Sequence, residues 1–486
     1  MKKALVLLLL LATMISVAAC GGGGGESADT SAADTSAAET TEELDALEAR
    51  VLVADNLPEY DAGGRDFITV SYSEEAHYIM EEQTGDVVDD AIYERNTAVS
   101  ERFNVNFDIL LFNPYYEVRN YTKKCVNSGE DPFDLISTHV VDNGVSVIDG
   151  HFMNWYDVPH INFEQPWWYA ANADLSYCGK AYQAVGYYAL NTVAKTYCVF
   201  YNKRLGENYG IGNMYDSVYD GTWTIDKQIE LTKDIYQDLN NDGGKDENDF
   251  YGFVSDPSSN VNTYLWAFEN PIVAANKQGE LEFVIKTEKL NNIIEKLNGM
   301  FENEKGCFTM KDNQHHGIGT SLFKEARAVF CNSTIGNAAS TLREFEDDYA
   351  ILPYPKWNEA QEQYHTMSDG AHHAMSVSIC EQDLEFVGII TEALNAESWK
   401  RVVPVYYDVA LKVKGTRDEE SVGVLDILVS NCSFDFGYVY NGWSGASFWV
   451  QNLIQARSND FESFYASKGP AVEEYYNKLF TFFEEA

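Results

Sequence analysis

DFITVSYS (Asp66–Ser73) alternates apolar and polar residues, the pattern of a half-buried β-strand. Two further stretches, FNVNFDIL (Phe103–Leu110) and FDLIST (Phe133–Thr138), read the same way. Helical spacing fills the gaps between them. Asp89–Phe103 places Ile92, Val99 and Phe103 on one side, and Tyr116–Cys125 places Val118, Tyr121 and Cys125 on another. Strands and helices alternating at this interval predict βαβ units and a mostly parallel sheet. Ligands of such sheets sit beyond the carboxyl ends of the strands. That rule singles out Glu74 after the first strand and His139 after the third.

Further along, Thr196–Tyr201, Arg327–Cys331, Tyr349–Leu352 and Ala374–Cys380 read as strands, and Thr287–Phe301 as an amphipathic helix. WTIDKQIELTKDIYQDLNNDGGKDENDFYGF (Trp223–Phe253) begins as a helix capped by Thr224, with Ile225, Ile229, Leu231, Ile235 and Leu239 along its apolar side. It then runs into an acidic turn. Counting Asp238 as position one, side-chain oxygens fall at Asp238, Asn240, Asp242, Asp246 and Asp249, with Gly243 at position six and the Gly244 carbonyl at seven. A hard cation takes six to eight oxygens, so this spacing predicts a structural calcium loop. Position twelve is Asp249 instead of the usual bidentate Glu, and no second copy of the motif follows.

The chain starts MKKALVLLLLLATMISVAAC, with two lysines, an apolar core and small residues before Cys20. This reads as an export signal over residues 1–20, and the Ala-Ala-Cys exit resembles a bacterial lipobox in which Cys20 carries lipid. Val17 departs from the usual Leu of such boxes. Residues 21–65 open with GGGGGESADTSAADTSAAE and read as a flexible linker. The remainder is long enough for two lobes. The formal net charge is −42, and removal of Lys2 and Lys3 would take it to −44. So acidic a surface argues against nucleic-acid partners and against a lipid-binding protein face, leaving the lipid as the membrane attachment. Eight cysteines include Cys20. The odd number that remains reads mostly as buried free thiols, with room for one disulfide and no CxxC motif.

Several segments together resemble a known family: the lipobox, Pro166-Trp167-Trp168, Gly179–Tyr182, FYNKRLGENYGI (Phe200–Ile211), GTWT (Gly221–Thr224), the acidic loop with YGF, AVFCNS (Ala328–Ser333) and DDYAILPYPKW (Asp347–Trp357). They are similar to extracellular solute-binding lipoproteins of bacterial ABC transporters, of the sugar-binding type. The resemblance implies a two-lobed, periplasmic-binding-protein-like α/β fold with hinged lobes and a central cleft. It implies one lobe from residues 66–193 and 366–400 and another from 194–365 and 401–486. Chain crossings would lie near 190–196, 355–366 and 397–404. It further implies a monomer at the extracellular face of the cell membrane, delivering a small solute to the membrane subunits of an ABC permease.

Sugars present C–H patches beside hydroxyls, so a sugar cleft needs aromatic faces and polar side chains together. Aromatics make up 14% of the chain, with 31 Tyr and 9 Trp. Candidates near strand ends and crossings are Glu74, His139, Trp167, Trp168, Tyr187, Trp266, Ser333, Asp369 and Trp443. No catalytic residues are singled out, because GxSxG, HExxH and GxxxxGK motifs are all absent. The alternative is a secreted carbohydrate-active enzyme with a structural calcium site, since 76 acidic residues supply many carboxylate pairs. The adjacent pairs His315-His316 and His372-His373 read as surface or packing residues.

Overall fold

The computed structural model describes residues 46–311, 317–411, 419–443 and 445–485. The expected signal, Cys20, most of the linker and His315-His316 lie outside the described residues.

Two sheets organise the chain. In the first, β1 (Arg65–Tyr72) pairs in parallel with β2 (Val105–Phe112) along its whole length, from Arg65↔Val105 to Tyr72↔Phe112. On its other side β1 pairs in parallel with β3 (Leu135–His139), at Thr69↔Leu135. The helix Val87–Phe103 makes the crossover between β1 and β2. The Asp86 side chain caps it by accepting the Val88 N–H, and Asn104 ends it in the left-handed region. The helix Leu384–Glu397 packs against it, so sequence-distant segments close this layer.

The second sheet is mixed. Its core strand β4 (Tyr197–Asn202) is followed by β5 (Tyr236–Gln237), β6 (Phe250–Ser255), β7 (Cys307–Thr309), β8 (Ala328–Thr334) and β9 (Tyr349–Leu352). The order is β9-β4-β8-β6-β5, with β7 also on β6. Strand β10 (His373–Ser376) then returns to the first sheet, antiparallel to β3 at His373↔His139.

Between the sheets the chain runs through paired extended segments. Thr196 bridges Ser368, and Thr366–Met367 pairs with Cys432–Ser433. The Thr366 hydroxyl donates to the Tyr197 carbonyl (2.7 Å), and the Ser368 hydroxyl to the Thr192 carbonyl (3.0 Å). These bonds satisfy backbone groups that would otherwise be buried without partners. The turn Phe436–Val439 then lies on Val140–Gly144 of the first sheet's loop. Gly144 permits this approach, since a Cβ there would fall 2.4 Å from the Val439 carbonyl oxygen. No helix among the described residues is long and apolar enough to cross a membrane.

Two elements differ from their sequence readings: the strand read over Ala374–Cys380 ends at Ser376, and one helix stops early. The helix starting at Ile225 ends at Thr232 and does not run on to Leu239. Two glycines explain the early stop. A Cβ at Gly252 would meet the Thr232 carbonyl oxygen at 2.5 Å, and one at Gly306 would meet the same oxygen at 1.8 Å. Bare backbone therefore draws this segment onto the sheet, where Tyr236 and Gln237 pair with Tyr251 and Phe250. The acidic stretch becomes the loop of a β-hairpin.

Candidate functional site

Strands β1 and β3 end side by side, and the polar groups at their ends face the connections between the sheets. His139, the last residue of β3, is buried. Its ring stacks on Tyr115 (centroids 4.5 Å apart, planes 26° apart), and the Trp443 ring stands 5.9 Å away. The Asp142 backbone N–H donates to His139 Nδ1 (3.3 Å). Burial drives the imidazole pKa down to about 4, aided by His372 and Lys195 and opposed by Asp369. The neutral ring accepts at Nδ1 and so carries its proton on Nε2, as a donor.

Asp142 is 2% exposed. Its Oδ1 forms an ion pair with Arg119 (3.2 Å) and accepts the Trp443 indole N–H (3.3 Å), whereas its Oδ2 is buried with no hydrogen-bond partner. Burial pushes this carboxyl up and Arg119 pulls it back. Trp443 itself is 42% exposed and has a left-handed backbone, held by its N–H on Asn441 Oδ1 (2.6 Å). Its ring lies parallel to Phe448, with 6.5 Å between centroids.

Asp369 sits where the chain returns to the first sheet. It accepts the Tyr197 hydroxyl (2.7 Å) and the Ala371 N–H (3.0 Å). Burial pushes its carboxyl up, but these bonds, Lys195 and His139 outweigh burial and hold it below the usual range. Lys195 pairs with Glu75 at 3.0 Å. Glu74 is exposed at the rim, in the first turn after β1.

His139, Asp369 and Trp443 are thus brought together, with Glu74 at their edge. Ser333 stands at the end of β8, beside the Thr334–Tyr197 pair. Its hydroxyl is occupied by Thr320 (2.8 Å) and Asn337 (2.9 Å). The other aromatic candidates sit elsewhere. Trp167 and Trp168 are buried in the core beside the first sheet, with Phe67 and Leu135, and both indoles donate to Glu392 (2.8 and 2.9 Å). Tyr187 stacks on Tyr169. Trp266 donates to Asp435 (2.9 Å) and lines a separate cavity of about 430 Å³ with Phe434, Phe436 and His365.

Sequence reasoning missed Tyr115, Arg119 and Asp142. The signal for Asp142 was its place three residues past His139. Arg119 adjoins Val118 on a helix whose Val118 and Thr122 are buried.

The acidic hairpin loop spends its oxygens on itself. Asp238 accepts the Asn241 and Gly243 N–H groups (2.6 and 3.0 Å), and Asp242 accepts that of Gly244 (2.6 Å). Asn240 donates to Asp242 (2.8 Å) and contacts Asp246 (3.4 Å). Asp249 is buried, bonded to the Leu239 N–H and the Tyr236 hydroxyl, and that hydroxyl also reaches the Gly244 carbonyl. Among the described residues no group of three or more His, Cys, Asp or Glu is gathered closely enough to hold a metal ion.

No protein-family model matches the sequence, and no curated protein does. Solved structures do match. The sugar-binding protein MalE from Xanthomonas citri superposes with a TM-score of 0.59 at 10% identity, over 87% of this chain and 100% of that one. UspC of M. tuberculosis gives 0.56 at 11% identity, over 84% and 100%. The Listeria monocytogenes maltose-binding periplasmic protein MalE, in complex with maltose, gives 0.52 at 14% identity, over 85% and 98%. The fold is periplasmic-binding-protein-like. At these identities the likeness establishes the two-lobed α/β architecture, and the chemistry of this chain rests on its own residues.

Proposed function

We propose that this chain is an extracellular solute-binding protein, anchored by lipid on Cys20, that captures an oligosaccharide and hands it to an ABC importer. The observation that carries the reading is the pairing of a half-exposed Trp443 face with the unpartnered, buried Oδ2 of Asp142 and the neutral His139. An indole face covers sugar C–H groups, the carboxylate oxygen accepts a hydroxyl, and the imidazole N–H donates to one. The sugar and maltose named for the MalE structures support the same class of solute. Hinge motion at the paired segments 196/368 and 366–367/432–433 would close the lobes on the ligand.

The test is a thermal-shift screen against mono- and oligosaccharides with calcium held constant. An upward shift with one glycan class, the glycan being recovered intact, is the expected result. Recovery of cleaved glycan would transfer the case to the enzyme reading, and no shift with any glycan would sink the sugar assignment.

We also propose that the loop 238–249 takes a calcium ion as a structural support. The spacing of Asp238, Asn240, Asp242, Asp246 and Asp249 supports it. The ion would replace the bonds these side chains now make to loop amides and to one another. Binding to the folded form alone raises stability by about 2.7 kcal/mol at a hundredfold excess over Kd. Millimolar calcium is therefore expected to raise Tm by about 3 °C, and Asp242→Ala to abolish the rise. Identical melting curves in calcium and in chelator would rule the site out.

A further inference from the structure

Cys125 and Cys380 occupy neighbouring segments of the first lobe that are pinned on both sides. Cys125 lies in the last turn of the helix Tyr116–Ser128, and its carbonyl accepts the N–H of Glu130 (3.0 Å) as the helix ends. Cys380 lies in the turn after β10, where its N–H donates to the Ser378 hydroxyl (3.2 Å) and the Glu381 N–H to the Ser378 carbonyl (3.1 Å). Arg65 clamps the following residues of both segments, reaching Asp134 (3.1 Å) and Asp383 (2.7 Å). The Cys380 sulfur lies 3.9 Å from the Val126 carbonyl oxygen, one residue from Cys125.

We propose that Cys125 and Cys380 form a disulfide in the exported protein, fastening the helix that carries Arg119 to the turn beyond β10. Both are free thiols in the structure described here. Burial pushes the Cys125 thiol up, Tyr121 and Lys124 pull it down, and Glu130 and Cys380 push it the same way as burial. Of the other described thiols, Cys178 is exposed. Cys198 and Cys331 lie on adjacent strands, but the register sets Cys331 against Phe200 and Ser333 against Cys198. That makes them diagonal neighbours about 7–8 Å apart, whereas a disulfide needs Cβ atoms about 3.8 Å apart. Cys307 is buried against the Thr232 hydroxyl (3.3 Å), and Cys432 is buried in the segment paired with Thr366.

The chemistry is thiol–disulfide exchange with a small external disulfide, as befits an oxidising compartment. The partly exposed Cys380 attacks first, as thiolate, forming a mixed disulfide and expelling one small thiolate, which takes up a proton. Cys125, deprotonated in turn, attacks the Cys380 sulfur and releases the second small thiol. Two protein thiols are oxidised, and one external disulfide is reduced to two thiols.

The test is peptide mapping of the full chain after equilibration in mixed oxidised and reduced glutathione and alkylation of the remaining thiols. A Cys125–Cys380 linked peptide is expected, lost on reduction, with a Tm about 4 °C above that of the reduced protein. Cys380→Ser should leave Cys125 alkylated and remove the Tm difference. Recovery of both cysteines alkylated from the oxidised wild-type protein overturns the proposal, as does Cys125 linked to any other cysteine.

Discussion

Replacing Glu392 by alanine is expected to cost about 4 kcal/mol of folding free energy, and about 4 °C of Tm in a protein of this size. Glu392 is 1% exposed. Its Oε1 accepts the Trp167 indole N–H, and its Oε2 accepts those of Trp168 and the Asn162 backbone. Alanine would leave two buried indole donors facing apolar surroundings and open a void beside them. The same burial raises the Glu392 pKa to about 7, against the lowering effect of its three donors. The ordinary value is 4.5, so between pH 4.5 and 7 the folded chain holds a proton that the unfolded chain has released. Stability from this group is complete below pH 4.5 and falls as pH rises towards 7, by about 3 kcal/mol in all. Glu392→Gln cannot ionise, so Tm measured against pH should lose that slope. It also turns an amide NH₂ towards one indole, and the variant should melt below wild type at low pH. A wild-type Tm that rises between pH 5 and 7, relative to the variant, would contradict the argument.

This glutamate also accounts for where the two tryptophans sit. In sequence, the aromatic pair in PWW (Pro166–Trp168) reads as a candidate face for a sugar. Its partner lies 225 residues on from Trp167, and nothing near Trp167 announces a buried carboxylate. The elements that local pattern governs were legible. The parallel pairing of β1 with β2 and β3 followed from alternation, and the strand-end rule pointed to His139, the last residue of β3. The helix end at Thr232 was not legible, because it depends on Gly252 and Gly306 presenting bare backbone to a carbonyl. Asp142 was missed for a similar reason. Its role depends on Trp443, 301 residues later, closing over it. The chain's own spacing thus reports secondary structure well, while the chemistry of a site built from distant segments becomes visible only when they meet.

Asp142→Asn is the sharper probe of that site, and it should weaken glycan binding by about 30-fold. A hydrogen bond to a charged acceptor contributes about 1.5–3 kcal/mol, or roughly 10- to 150-fold in Kd. Asparagine still offers one oxygen to the Trp443 indole and Arg119, so the loop keeps its anchor. The amide nitrogen now occupies the place of the unpartnered Oδ2 and presents a donor where a ligand hydroxyl needs an acceptor. Trp443→Ala removes the stacking face and should cost a comparable factor; it also takes a donor from buried Asp142, so Tm should fall by about 1 °C. The pH profile separates His139 from both. Its imidazole titrates near 4, so affinity should stay flat from neutral pH down to about pH 5 and fall only below that, as the Nδ1 acceptor is lost. Calorimetric titration of the glycan found in the screen measures all three. Unchanged affinity in both Asp142→Asn and Trp443→Ala would place the ligand away from the ends of β1 and β3, and a midpoint near the ordinary histidine value would mean that His139 is solvated when the lobes are open.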